Sequence, residues 1–134
     1  MNYLNNTLWL AARDGDIKTV NECLAKGADV NYKYLGQTLH HLAAARDDRD
    51  MAEMLFSHGI DANIKDNWGQ TGLHVAAIRG FTNMLEMLIS HGIDVNIKDN
   101  WGQTGLHKAA DQGYKDMAEL LISHGIDINI KDNE

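Results

Sequence analysis

SHGIDVNIKDNWGQTGLH, running from Ser90 to His107, occurs a second time from Ser57 to His74 with one change, Ala62 in place of Val95. The two copies lie 33 residues apart. A period of that length is the mark of a stacked array, in which each unit buries its apolar faces against its neighbours. A residue copied once per period is therefore first a part of the stacking unit and only then a candidate for chemistry.

The period extends outward over nearly the whole chain. Gly36, Gly69 and Gly102 each open a unit with Gly-Gln-Thr, and Gly59, Gly92 and Gly125 recur in register. A variant unit precedes them: Ala11-Ala12 matches Ala43-Ala44, Ala76-Ala77 and Ala109-Ala110, and Gly27-Ala28-Asp29-Val30-Asn31 matches Gly92-Ile93-Asp94-Val95-Asn96. The expected organisation is one domain, residues 1–134, of four units at about 5–35, 36–68, 69–101 and 102–134. The first offset is 32 rather than 33, so one residue is missing from the connection Lys33-Tyr34-Leu35.

Bulk properties narrow the function. A hydrophobic content of 44% in 134 residues suffices for a core. The formal charge of −7 argues against nucleic acid, whose phosphates demand clustered Lys and Arg. Met1 to Ala12 lacks the basic region of a signal peptide, and no apolar run approaches the roughly 18 residues of a membrane span. The expectation is a soluble, cytoplasmic protein without membrane insertion, with secretion as an effector left open. A single cysteine, Cys23, allows no internal disulfide.

Local signals give each unit a helix, a turn, a second helix and a hairpin. Thr71-Gly72-Leu73-His74-Val75-Ala76-Ala77 begins with a good N-cap, and His74 stands where a capping-box side chain reaches back. The first helix is two turns long and ends near Gly80. A second helix is expected over 83–90, stopped by Gly92 in the left-handed conformation. Asp99-Asn100-Trp101-Gly102 has Asp at the first and Gly at the fourth place of a type I turn.

These residues resemble the ankyrin repeat, whose motif reads roughly D-x-x-G-x-T-P-L-H-x-A-A-x-x-G, then a helix with paired leucines, then G-A-D-V-N. The resemblance covers four units and implies an all-α solenoid of stacked helix-turn-helix units joined by hairpin loops. Several departures stand out. Gly72 and Gly105 replace the proline, which should loosen the first helical turn. His40 takes a leucine place and Asp47 a glycine place, marking the second unit as the least stable. The first unit is polar on its outer face, with Thr19 and Glu22 where Met51 and Met54 follow. The last keeps the internal pattern at Ala118, Leu121 and Ile122, which suggests a longer array or a face covered by a partner or a second copy.

Candidate chemistry is sparse. His41, His74 and His107 form one row, and His58, His91 and His124 another. Stacked equivalents lie about 8–10 Å apart, whereas a Zn–N bond spans about 2.0–2.1 Å, so a row does not converge on an ion. The first row is expected at helix starts and the second in last helical turns. Ser57, Ser90 and Ser123 are copies of one helix-end position, and no phosphate-binding glycine loop is present. Cys23 aligns with Leu55, Leu88 and Leu121, which marks it as core. Neither catalytic residues, nor a metal, nor a cofactor is expected.

The functional lead is aromatic. Trp68 and Trp101 occupy exposed turns, and Leu35, beside Tyr34, aligns with them. The ankyrin resemblance implies a concave, partner-gripping surface made of hairpin tips and first-helix ends, which carries Lys65, Asn67, Trp68 and Gln70, with Lys98, Asn100, Trp101 and Gln103. Trp is a frequent hot-spot residue; the alternative is that the indoles pack along neighbouring hairpins and stiffen the row. Units differ most at Ala45-Arg46, Ile78-Arg79 and Asp111-Gln112, and at Val75 against Lys108. Arg46, Ile78, Arg79, Asp111 and Gln112 are accordingly either specificity positions or drifting surface. The resemblance also makes Asn31, Asn63, Asn96 and Asn129 backbone-bridging residues. The function expected is a non-catalytic module binding a protein partner. The alternatives are a regulatory or targeting segment of a larger enzyme, channel or effector, and a self-assembling or engineered scaffold associating through its last unit.

Overall fold

The computed structural model describes residues 3–125. They form eight helices in four antiparallel pairs: α1 Tyr3–Asp14 with α2 Ile17–Ala25, α3 Leu39–Arg46 with α4 Arg49–Ser57, α5 Gly72–Arg79 with α6 Thr82–Ser90, and α7 Gly105–Gln112 with α8 Lys115–Ser123. The expected all-α solenoid is what forms. First helices pack on first helices, α1 on α3 on α5 on α7, while the second helices make a parallel layer behind them. Among the described residues no helix is long and apolar enough to cross a membrane. Asn129 and the closing residues 131–134 lie outside the described residues.

The third unit shows why the chain turns where it does. Thr71 has an extended backbone (φ −103°, ψ 176°), and its N–H donates to His74 Nδ1 at 3.1 Å, closing the capping box. Gly80 ends α5 at φ 74°, a left-handed conformation costly for a residue with a Cβ. The next N–H, that of Phe81, donates back to the Ala76 carbonyl at 3.0 Å, so α6 starts at once. Asp47 makes the same turn at φ 53° in the second unit, as its alignment with the glycines predicted. Alanine pairs such as Ala76-Ala77, fully buried, let neighbouring first helices approach closely. Leu73, Leu85, Leu88 and Met84 fill the space between layers at 0% exposure. Each such side chain contributes about 1.5–3 kcal/mol of hydrophobic stabilisation. Cys23 is 4% exposed in the same core.

The missing residue changes the first hairpin. In the later hairpins Asp66 N–H donates to the Gln70 carbonyl at 2.8 Å and Gly69 N–H to the Asp66 carbonyl at 3.0 Å, a type I turn closed by a left-handed glycine. In the first, Tyr34 and Gln37 exchange both backbone bonds, at 2.9 and 3.0 Å, around only Leu35 and Gly36. Both have positive φ, 52° and 82°, the requirement of a two-residue type I′ loop. Holding a leucine there costs about 1–2 kcal/mol. The Tyr34 ring meets Trp9 at 4.9 Å, a contact that helps hold the tight loop.

Candidate functional site

Successive units are joined by a ladder of polar contacts that recurs with the period. Because Nδ1 of His41 and of His74 accepts the N–H of its own N-cap threonine, the proton of each ring is on Nε2, which donates to the next hairpin: His41 to the Gln70 carbonyl at 2.8 Å, His74 to the Gln103 carbonyl at 2.9 Å. The capping role was legible in the sequence, whereas the reach across units was not. Both ring nitrogens are thus committed, which leaves no lone pair for a metal. Desolvation holds both imidazoles below their ordinary pKa, outweighing the bonds to Gln70 and Gln103. Asn31 and Asn63 accept the N–H of Asp61 and Asp94 in the next unit, at 2.9 and 3.2 Å, as the bridging role implied.

The second histidine row stands at the C-caps that close its helices. His58 and His91 are C-cap residues, and their rings reach back to the preceding second helix, Nε2 of His58 to Asn21 at 3.1 Å and Nε2 of His91 to Glu53 at 3.0 Å. The His58 and His91 N–H groups still close the last turns, on the Met54 and Met87 carbonyls at 3.2 Å, so the link between units is added to the helix-end position. Each serine closes its own helix end, Ser57 Oγ donating to the Met54 carbonyl at 2.6 Å and Ser90 Oγ to that of Met87 at 2.6 Å.

The aromatic row is solvent-facing. Trp68 is 54% exposed, Trp101 50%, Leu35 76% and Tyr34 44%. Lys65 and Lys98 are also exposed, and so are Arg79, Asp111 and Gln112, while Ile78, Gln70 and Gln103 are half-buried. Two groups of these residues are engaged in stacking. Asn100 N–H donates to the Trp68 carbonyl at 2.9 Å and its side-chain amide to the Asn67 carbonyl at 3.0 Å. The Asn67 amide in turn covers Gly36 so closely that a Cβ there would strike it. Arg46 lies over Gly15 and donates to the Arg13 carbonyl at 3.4 Å, at the end of α1.

Four of the candidate residues converge. Trp68, Gln70, Ile78 and Arg79 line one cleft of about 210 Å³ between the second hairpin and the α3–α5 pair, with Asp66 and Val75 also in its wall. Asp66, not singled out by the sequence, is the pivot. Its Oδ1 accepts the N–H groups of Trp68 and Gln70, both at 2.9 Å, and the residue is only 9% exposed.

One period later the corresponding space is filled. Lys108, in place of Val75, sets its Nζ 2.9 Å from Asp99 Oδ2, 2.6 Å from Gln103 Oε1 and 5.8 Å from the centre of the Trp101 ring. The Asp99 side chain is fully buried and that of Lys108 13% exposed. Desolvation would raise the Asp99 pKa, but Lys108 and the backbone donors Gln103 and Trp101 outweigh it, so the carboxyl lies below its ordinary value. The signal for this pair was present in the sequence as a charged residue at an otherwise apolar helix position, nine residues after the hairpin aspartate.

A larger cleft of about 550 Å³ lies on the second-helix side, bordered by Asp48, Asp50, Glu53 and Asn83. Its acids are partly committed, Asp48 capping α4 through the Met51 N–H at 3.1 Å and Glu53 holding His91. It contains none of the aromatic row.

Comparison with known proteins agrees with this architecture. A family model described as ankyrin repeats, three copies, matches residues 2–66 and again residues 41–132. Serine/threonine-protein kinase 12 of Arabidopsis thaliana is 37% identical over 63 residues, 46% of this chain and 14% of the kinase's length. The matched segment is thus a small part of that protein. With repeats in register, capped helix pairs and a model match over nearly the whole length, the chain belongs to the ankyrin-repeat family.

Proposed function

We propose that this array is a protein-interaction module that grips its partner on the surface formed by the hairpin tips and the C-terminal ends of the first helices. Ankyrin repeats indicate a protein-binding role in general. The observation that carries the finer reading is the row of half-exposed tryptophans, Trp68 at 54% and Trp101 at 50%, held on hairpins hydrogen-bonded to each other. A rigid, preordered tip loses little conformational entropy on binding, so the indoles' apolar area converts efficiently into affinity. Tyr34 and Leu35 extend the row toward the first unit, and Lys65, Lys98, Arg79, Asp111 and Gln112 surround it with charge and hydrogen-bonding capacity for specificity. The reading is non-catalytic, and the setting we propose is cytoplasmic.

The test is affinity capture by the wild-type chain and by a Trp68→Ala, Trp101→Ala double variant, each first verified as folded by circular dichroism. Loss of a specific protein from the double variant supports the reading; identical recovery by both removes the hairpin row from it. A second reading, in which the array serves a larger enzyme as a regulatory segment, draws on the partial match to a protein kinase. Self-association through the last unit is distinguished by sedimentation, since Ile122 on α8 is 50% exposed.

A further inference from the structure

The chain carries, within itself, an occupied and an empty copy of the same site. At the α5–α7 junction an ammonium group rests on Asp99, Gln103 and the Trp101 face. At the α3–α5 junction Asp66, Gln70 and Trp68 repeat those three residues at the same spacing, but the residue that would supply the cation is Val75. We propose that the cleft walled by Asp66, Trp68, Gln70 and Val75 is a preformed seat for a lysine side chain of a protein partner. The proposal rests on the interaction-surface reading and names the chemistry that the surface recognises.

Five observations support it. Asp66 is 9% exposed, and its Oδ1 is held by two backbone N–H groups, so the carboxylate is fixed in place; its Oδ2 corresponds to the Asp99 oxygen that meets Lys108. Among the described residues no cation forms an ion pair with Asp66. The volume of about 210 Å³ accommodates a butylammonium chain. Val75 and Ile78 offer apolar surface to the methylenes while the indole of Trp68 and the carboxylate face the charge, the division of labour that an amphipathic lysine requires. A net charge of −7 also favours the approach of a basic partner.

The experiment is a titration of the isotopically labelled chain with Nα-acetyl-lysine N-methylamide, followed by the Trp68 indole and Gln70 backbone N–H signals, with the norleucine analogue as the uncharged control. The expected result is a saturable shift at Trp68 and Gln70, none at Trp101, and at least a tenfold weaker response to norleucine. Val75→Lys, which copies Lys108, should abolish the response by filling the seat from within. Lys108→Val, which copies Val75, should open a second seat and bring the Trp101 indole into the titration. An unsaturable Trp68 response, an equal response to norleucine, or persistence of the shift in Val75→Lys overturns the proposal. Because the titration uses no partner protein, its failure leaves the interaction-surface reading to the capture experiment, and failure of capture does not alter the titration.

Discussion

The α3–α5 and α5–α7 junctions are assembled from nearly the same residues, yet they differ at two positions that change what each can do. Beneath the first helical turn, His40 occupies the place that Leu73 takes one unit later. Beside the hairpin, Val75 stands where Lys108 follows. The first difference alters stability, because a buried imidazole replaces a hydrocarbon. The second alters accessibility, because an internal lysine closes one cleft and its absence leaves the other open. Near-identity of sequence therefore does not make the two hairpins equivalent sites.

At neutral pH the largest effect expected from this contrast is at the glycines that face those residues. A Cβ at Gly72 would collide with the His40 imidazole, whereas at Gly105 it would meet Leu73 at an ordinary 3.5 Å. Gly72→Ala should destabilise by about 1–3 kcal/mol through overpacking. Gly105→Ala should stabilise by about 0.5–1 kcal/mol by restricting the unfolded chain. Urea unfolding of the two variants reads the difference directly, and equal effects would erase the distinction between the junctions.

Acid should expose the same contrast. His40 is 1% exposed, its Nε2 lacks a hydrogen-bond partner, and burial holds its pKa down to about 3, against 6.5 in the unfolded chain. Between those values the unfolded state binds the proton and the folded state does not. Stability should fall as pH drops below 6.5, by about 1.4 kcal/mol per pH unit from this residue, and the loss should level off near pH 3. His41 and His74, also shifted down by desolvation, add in the same direction. His40→Leu, which converts this junction to the chemistry of the next, should make the acid dependence visibly shallower. An unchanged pH profile would contradict the assignment.

The smallest expected effect concerns the lysine. Removing one partner of a buried ion pair costs about 3–5 kcal/mol when the other charge stays dry. If the space left by Lys108 opens to water like the cleft beside Val75, Lys108→Val should cost less, about 1 kcal/mol. Val75→Lys should be neutral to mildly stabilising. Denaturant midpoints of the two exchanges, taken at one salt concentration, would sharpen or remove the asymmetry.

Much of the fold was legible because its determinants are local and copied. Thr71 with His74, the left-handed Gly80, and the Asp99 to Gly102 turn each announce themselves within four residues. What escaped reading depends on residues a full period apart. The glycine at 72 was expected only to loosen a helix start, but it makes room for His40. The deletion near Lys33 was visible, but the type I′ loop it forces at Leu35-Gly36 depends on how Tyr34 and Gln37 pair. The ankyrin resemblance places Trp68 and Gln70 on the surface, variation between units marks Ile78 and Arg79, and the structure brings the four together around Asp66. That aspartate was overlooked because, as a turn residue repeated at Asp99, it has a sufficient structural role without any other.

The central claim is that the hairpin side of the array is its binding surface, and hydrogen exchange on the captured complex tests it most directly. New protection should concentrate in residues 65–70 and 98–103 and at the first-helix ends near Arg79 and Gln112. Protection confined to the second helices, around His58 and His91, with the hairpins exchanging as in the free chain, would contradict the account.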